Sequence, residues 1–155
     1  MLYLSVFVFS LSSLCYEVLL ARFFSIAQWH HLSFMVISIA MFGFSASGTF
    51  LNLISKKAPG WEKRFTEKKW IGRFSILFSL SISGSYIIIN NLPLDYYRIP
   101  FELIHVIFLI LSFLLLSIPF FFSGLVTSLV YSSVPEKSGR TYFFAMTGST
   151  AGALI

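Results

Sequence analysis

Charge is what this sequence has least of. Only 11% of its 155 residues are Asp, Glu, Lys or Arg, against about 25% in an ordinary soluble domain. That scarcity excludes a chain whose surface is mostly in water. Cysteine is almost missing too. Cys15 stands alone, so no internal disulfide can form and the redox compartment is not legible. No long linker, low-complexity tract or internal repeat is visible in the sequence. Neither a Walker loop, a Gly-x-Gly-x-x-Gly after a strand, nor a Ser/His/Asp pattern on a soluble scaffold is present. The sequence therefore offers no catalytic residue, no cofactor site and nothing directed at nucleic acid.

What the chain has is apolar length. It is 57% hydrophobic and carries 19 Phe. A helix needs about 20 largely apolar residues to cross a bilayer. Segments 2–24, 31–54, 74–92 and 101–131 meet that measure, and a fifth run, 141–155, is still apolar at Ile155. The expected fold is all-α: a polytopic transmembrane bundle in a single domain, with four full spans and the start of a fifth. The chain reads as truncated at its C-terminus. A cleaved signal peptide over the first run, cut after Ser25-Ile26-Ala27, would need a positively charged start. Met1 to Ser5 has none, and the run is read as a retained helix.

The few charges are unevenly placed. Nine Lys and Arg fall in the 55–73 and 132–141 loops, against Arg22 and Arg98 on the opposite side. The positive-inside rule puts the nine, and with them the N-terminus, in the cytoplasm. Trp61, Trp70, Tyr131 and Tyr142 fall at that interface, and Trp29, Tyr96 and Tyr97 at the other, as an aromatic belt requires. The basic 55–73 loop has two readings: a topology-setting loop, or a short interfacial helix against anionic lipid, with Trp61 and Phe65 on one face.

Two charges lie inside the first run. Arg22 is close enough to the outer boundary for its guanidinium to snorkel to the interface. Glu17 lies deeper, about 10 Å below the outer end at 1.5 Å per residue. Ser10 and Ser13 precede it by seven and four residues and share its face. An intramembrane carboxyl belongs inside a bundle or at a polar path. Glu17 is thus either a functional proton or cation site, with Ser13 beside it, or a structural, neutral group.

The remaining polar residues gather toward the outer side: His30, His31, Asp95, Arg98, Glu102 and His105. Glu102-Leu-Ile-His105 has the Glu-x-x-His spacing of di-iron bundles, but such sites need two such motifs and two further glutamates, so no metal is expected. On the second run Ala40, Gly43 and Ser47 make a stripe of small residues that lets helices approach closely. Pro119 lies within the fourth run and is expected to kink it. With Ser123 and Gly124 following, it is either a packing kink or a hinge lining a cavity.

Taken together, "LSSLCYEVLLARFFS", the Gly/Ala/Ser-rich end of the second run, "IPFFFSGLVTSLVY" and "GRTYFFAMTGSTAGALI" resemble the membrane region of spermidine-synthase-like integral membrane proteins. The most specific elements are Tyr16-Glu17 followed by Arg22, and Tyr142 leading to Gly148 and Gly152. The resemblance implies a multi-helix membrane module that anchors or supplies a cytoplasmic aminopropyltransferase-like domain, which would lie beyond Ile155. This segment alone would not be the enzyme. Where that family often has an aspartate after the tyrosine of the fifth helix, this chain has Ala145. The layout is also broadly similar to the start of a major-facilitator transporter, but the 55–73 loop lacks the Gly-x-x-x-Asp-Arg-x-Gly-Arg-Arg pattern. The alternative is therefore a transporter or channel core built around Glu17.

Overall fold

In the computed structural model, residues 2–27, 30–57, 68–91, 103–133 and 138–154 are described. They form five α-helices: α1 (Leu2–Ala27), α2 (His30–Lys57), α3 (Lys68–Asn91), α4 (Leu103–Ser133) and α5 (Ser138–Leu154). Glu102, most of the basic loop and the Asp95–Arg98 region lie outside the described residues, as do the side chains of His30 and His31.

Among the described residues, three helices are long and apolar enough to cross a membrane: α1, α2 and α4. They mark the chain as a membrane protein. The expectation of four full spans is met only in part. α3 is 24 residues long, but Arg73 and serines at 75, 79, 81, 83 and 85 dilute its apolar character. α5 has 17 residues, about 25 Å at 1.5 Å per residue.

Helix ends run past the apolar runs because helical hydrogen bonding does not require apolar side chains. α3 starts at Lys68, ahead of the apolar run from residue 74. In this added turn the Arg73 guanidinium lies 4.9 Å from the Trp70 ring centroid, a cation–π contact suited to an interface.

The contacts fix the order of directions. Ser13 meets Ser123 and Tyr16 meets Phe120, so α1 and α4 are antiparallel. Phe42 packs on Phe113 and Ser47 on Gly124, so α2 and α4 are parallel. Ser85 reaches Leu115 and Phe74 reaches Phe122, so α3 opposes α4. Phe7 and Leu11 receive Gly148 and Gly152, so α5 runs parallel to α1. The chain thus alternates direction from helix to helix. Lys56, Lys57, Arg73 and Arg140 consequently share one end of the bundle, here the basic end.

Close packing holds this arrangement. A Cβ on Gly43 would stand 2.6 Å from Phe120 Cβ and 2.7 Å from the Ser117 carbonyl oxygen. A Cβ on Gly148 or Gly152 would overlap the carbonyl oxygen of Phe7 or Leu11. Small residues are needed wherever two backbones approach this closely. Ala40, Gly43 and Ser47 are all buried in the α2–α4 contact, as their spacing predicts. Their neighbours Tyr16, Leu20, Phe24, Val36, Ile39, Leu116 and Phe120 make one hydrophobic cluster. The outward faces stay apolar, with Ile26, Phe34 and Met41 all exposed. That is the surface a bilayer asks for.

Candidate functional site

Most hydroxyls on these helices are turned back on their own backbone. Ser12 donates to the Val8 carbonyl, Ser75 to Ile71, Ser112 to Phe108 and Thr127 to Ser123. Such bonds satisfy the hydroxyl without a neighbour and leave little polarity to show lipid.

Among the described residues, the hydroxyls of Ser13, Ser123 and Ser85 break the pattern by reaching another helix. The Ser13 and Ser123 Oγ atoms lie 2.8 Å apart, buried between α1 and α4. Ser85 points from α3 at the Leu115 carbonyl, 3.5 Å away. The second contact has a specific cause. Proline has no N–H to offer the carbonyl four residues earlier, and for Pro119 that carbonyl belongs to Leu115. A buried carbonyl left open costs free energy in lipid. Ser85 approaches the one that Pro119 leaves without its helical donor. Ser85 also lies beside the phenol of Tyr16, a buried oxygen with no partner in hydrogen-bonding geometry.

Cavities flank this buried layer on both sides. Toward the basic end a space of about 350 Å³ is bounded by α1, α3, α4 and α5, with Ser10, Ser75, Thr127 and Tyr131 among its walls. Toward the opposite end a groove of about 710 Å³ separates α1 from α3, with Tyr16, Arg22, Ser83 and Tyr86 along it. Between them the Phe9 and Phe78 rings meet at 4.9 Å.

The residues singled out in the sequence scatter over this frame. Ser13 is buried in the hydroxyl pair and does not extend a polar face from Glu17. Glu17 is half-buried. Arg22 is exposed and lines the larger groove. His105 is half-buried, its ring 6.4 Å from that of Phe108. Tyr142 is exposed at the basic end, next to Tyr131. Among the described residues no three His, Cys, Asp or Glu side chains come together as a metal site would need.

Sequence reasoning missed Ser85 and Ser123 as contact residues and Phe7 and Leu11 as the seat of α5. A signal existed for the last pair: Gly148 and Gly152 are four apart, the spacing of close helix contacts. The chain matches no known protein family, no characterised protein and no solved structure.

Proposed function

We propose that the chain is the membrane-embedded module of a spermidine-synthase-like integral membrane protein, with its N-terminus and basic end in the cytoplasm. On this reading α3 and α5 also cross the bilayer. Their support is the alternation of directions: each lies alongside helices apolar enough to span, and its backbone is satisfied internally. The observation that carries the reading is the α1–α5 contact. The helix bearing Tyr16-Glu17 and Arg22 packs, backbone to backbone, on the helix bearing Tyr142, Gly148 and Gly152. The two most specific pieces of the resemblance are thus joined in one structural unit.

The module itself performs no aminopropyl transfer; that chemistry belongs to a cytoplasmic domain. With five crossings α5 runs away from the cytoplasm, so a following cytoplasmic domain requires an odd number of further crossings. Reporter fusions test the orientation: a phosphatase joined at Asp95 should be active and one at Ala58 silent. Exterior activity at Ala58 refutes it. The native gene product should migrate above 17.6 kDa and carry aminopropyl-transfer activity. A native product without that activity refutes the assignment.

A second reading, a transporter core, is favoured by the cavity at the basic end, where Ser10, Ser75, Thr127 and Tyr131 interrupt a mostly apolar wall. Nothing in a merely anchoring bundle calls for it.

A further inference from the structure

Two pairs of helices share a short sequence fragment and a matching set of contacts. The α2 segment Ala40-Met-Phe-Gly-Phe-Ser-Ala-Ser47 and the α5 segment Ala145-Met-Thr-Gly-Ser-Thr-Ala-Gly152 share Ala, Met, Gly and Ala at equivalent places, offset by 105 residues (Ala40 to Ala145). Their partners correspond as well. Gly43 sits on the Ser117 carbonyl of α4, and Gly148 on the Phe7 carbonyl of α1. Phe7 and Ser117 differ by the same 110 residues as the bonded pair Ser13 and Ser123. A contact between equivalent residues is what a two-fold axis produces where it passes between them. Since α1 and α4 are antiparallel, such an axis would lie across the helices and relate α1–α2 to α4–α5 as an inverted repeat around Ser13 and Ser123. Only a short segment of the sequence repeats, and at unequal spacing in the two halves.

The two ends are packed differently. Val6, Ser10, Val126, Val130 and Ala145 line the cavity at the basic end. Their counterparts under these offsets are Leu116, Phe120, Tyr16, Leu20 and Ala40. Those five all belong to the closed hydrophobic cluster at the other end. Between α1, α4 and α5 the basic end is open, whereas between α1, α4 and α2 the other end is filled, although Tyr16 and Leu20 also border the α1–α3 groove. α3 has no counterpart among the described helices; it walls the basic cavity through Ile71, Gly72 and Ser75 and borders the α1–α3 groove at the other end.

We propose that this asymmetry is one of two exchangeable packings, and that the chain binds a small solute in the cavity beside the buried serine pair and exposes it to each end in turn. In the exchanged packing Tyr16 parts from Phe120, and Glu17, the counterpart of cavity-lining Thr127, faces the opened space. Inverted repeats make the two packings near equivalents, which is the basis of alternating access. The cavity's chemistry selects the solute class. Ser75 and Thr127 already donate to their own helices, so their oxygens are left to accept, as a carboxylate at Glu17 would. Most of the wall is apolar, with Val6, Phe9, Ile71, Val126 and Val130, so the ligand is a small amphipathic amine, and about 350 Å³ is at the lower end of small-molecule sites. This deepens the transporter reading and rests on it.

The test uses single cysteines in a Cys15→Ala background, in sealed membrane vesicles of each orientation, with a membrane-impermeant maleimide. Thr127→Cys should react from the basic side and Glu17→Cys from the other. Ala21→Cys, the counterpart of Tyr131, replaces Glu17→Cys if that variant is poorly produced. In the double-cysteine protein, a bulky maleimide placed first on Thr127→Cys should wedge the basic end open. It should then slow labelling of the opposite site about fivefold or more, the lower range of ordinary coupling between sites. If Thr127→Cys does not react, the cavity reading and the exchange both fall. If it reacts but the opposite cysteine is inert, or reacts at a rate indifferent to the wedge, the cavity stands and the exchange is overturned.

Discussion

Replacing Gly148 by alanine puts the α1–α5 contact to a quantitative test. The new methyl group would overlap the Phe7 carbonyl oxygen and stand 3.1 Å from Phe7 Cα. Both atoms are backbone, so neither can rotate away, and the helices have to separate. Overpacking of this kind costs roughly 1–3 kcal/mol. Against it stands the higher helix propensity of alanine, about 1 kcal/mol over glycine. Gly48 supplies the control, since it is exposed on α2 and nothing lies within 4 Å of a Cβ built there. Gly48→Ala gains the propensity without the clash. The propensity term cancels between the variants, so Gly148→Ala should be less stable than Gly48→Ala by about 1–3 kcal/mol. Gly152→Ala should behave like Gly148→Ala. Unfolding in mixed micelles with increasing dodecyl sulfate, followed by helical circular dichroism and tryptophan emission, reads the difference directly. Equal midpoints for Gly148→Ala and Gly48→Ala would refute the backbone-to-backbone contact.

The serine pair should show a modest coupling. In a double-mutant cycle of Ser13→Ala and Ser123→Ala the interaction energy should be about 0.6 kcal/mol, the average for hydrogen bonds between membrane helices; strictly additive losses would place the hydroxyls out of contact. Pro119→Ala restores the donor for the Leu115 carbonyl, so Ser85→Ala should cost stability beside Pro119 and nothing in the Pro119→Ala background. An equal cost in both backgrounds would detach Ser85 from the proline.

The helices were readable because a bilayer imposes apolar length, and each of the five apolar runs carries one of the described helices. The stripe Ala40, Gly43 and Ser47 was readable too, because close approach tolerates only small side chains. Which hydroxyls matter was not. Serine occurs all along α3, and Ser75, Ser79, Ser81 and Ser83 each bond to their own helix. Only the three-dimensional arrangement sets Ser85 apart, by bringing it to the carbonyl that a proline thirty-four residues later leaves open. Glu17 was conspicuous for its charge, yet its position relative to Thr127 follows only once Ser13 and Ser123 are seen to meet. The partner of α1 was hidden for a related reason. One glycine-rich helix can seat on any backbone that offers a smooth face, and periodicity does not say which.

The pairing of the first helix with the fifth has a consequence for biosynthesis. Phe7 and Leu11 are made about 140 residues before the glycines that cover them. At ribosomal speeds of about 5–20 residues per second, α1 waits roughly 7–28 s for its tightest partner. Throughout that interval its contact face is held by lipid or by the insertion machinery. α1 must therefore be committed to the bilayer by its own hydrophobicity, and assembly of the bundle ends with α5 closing on a helix inserted first.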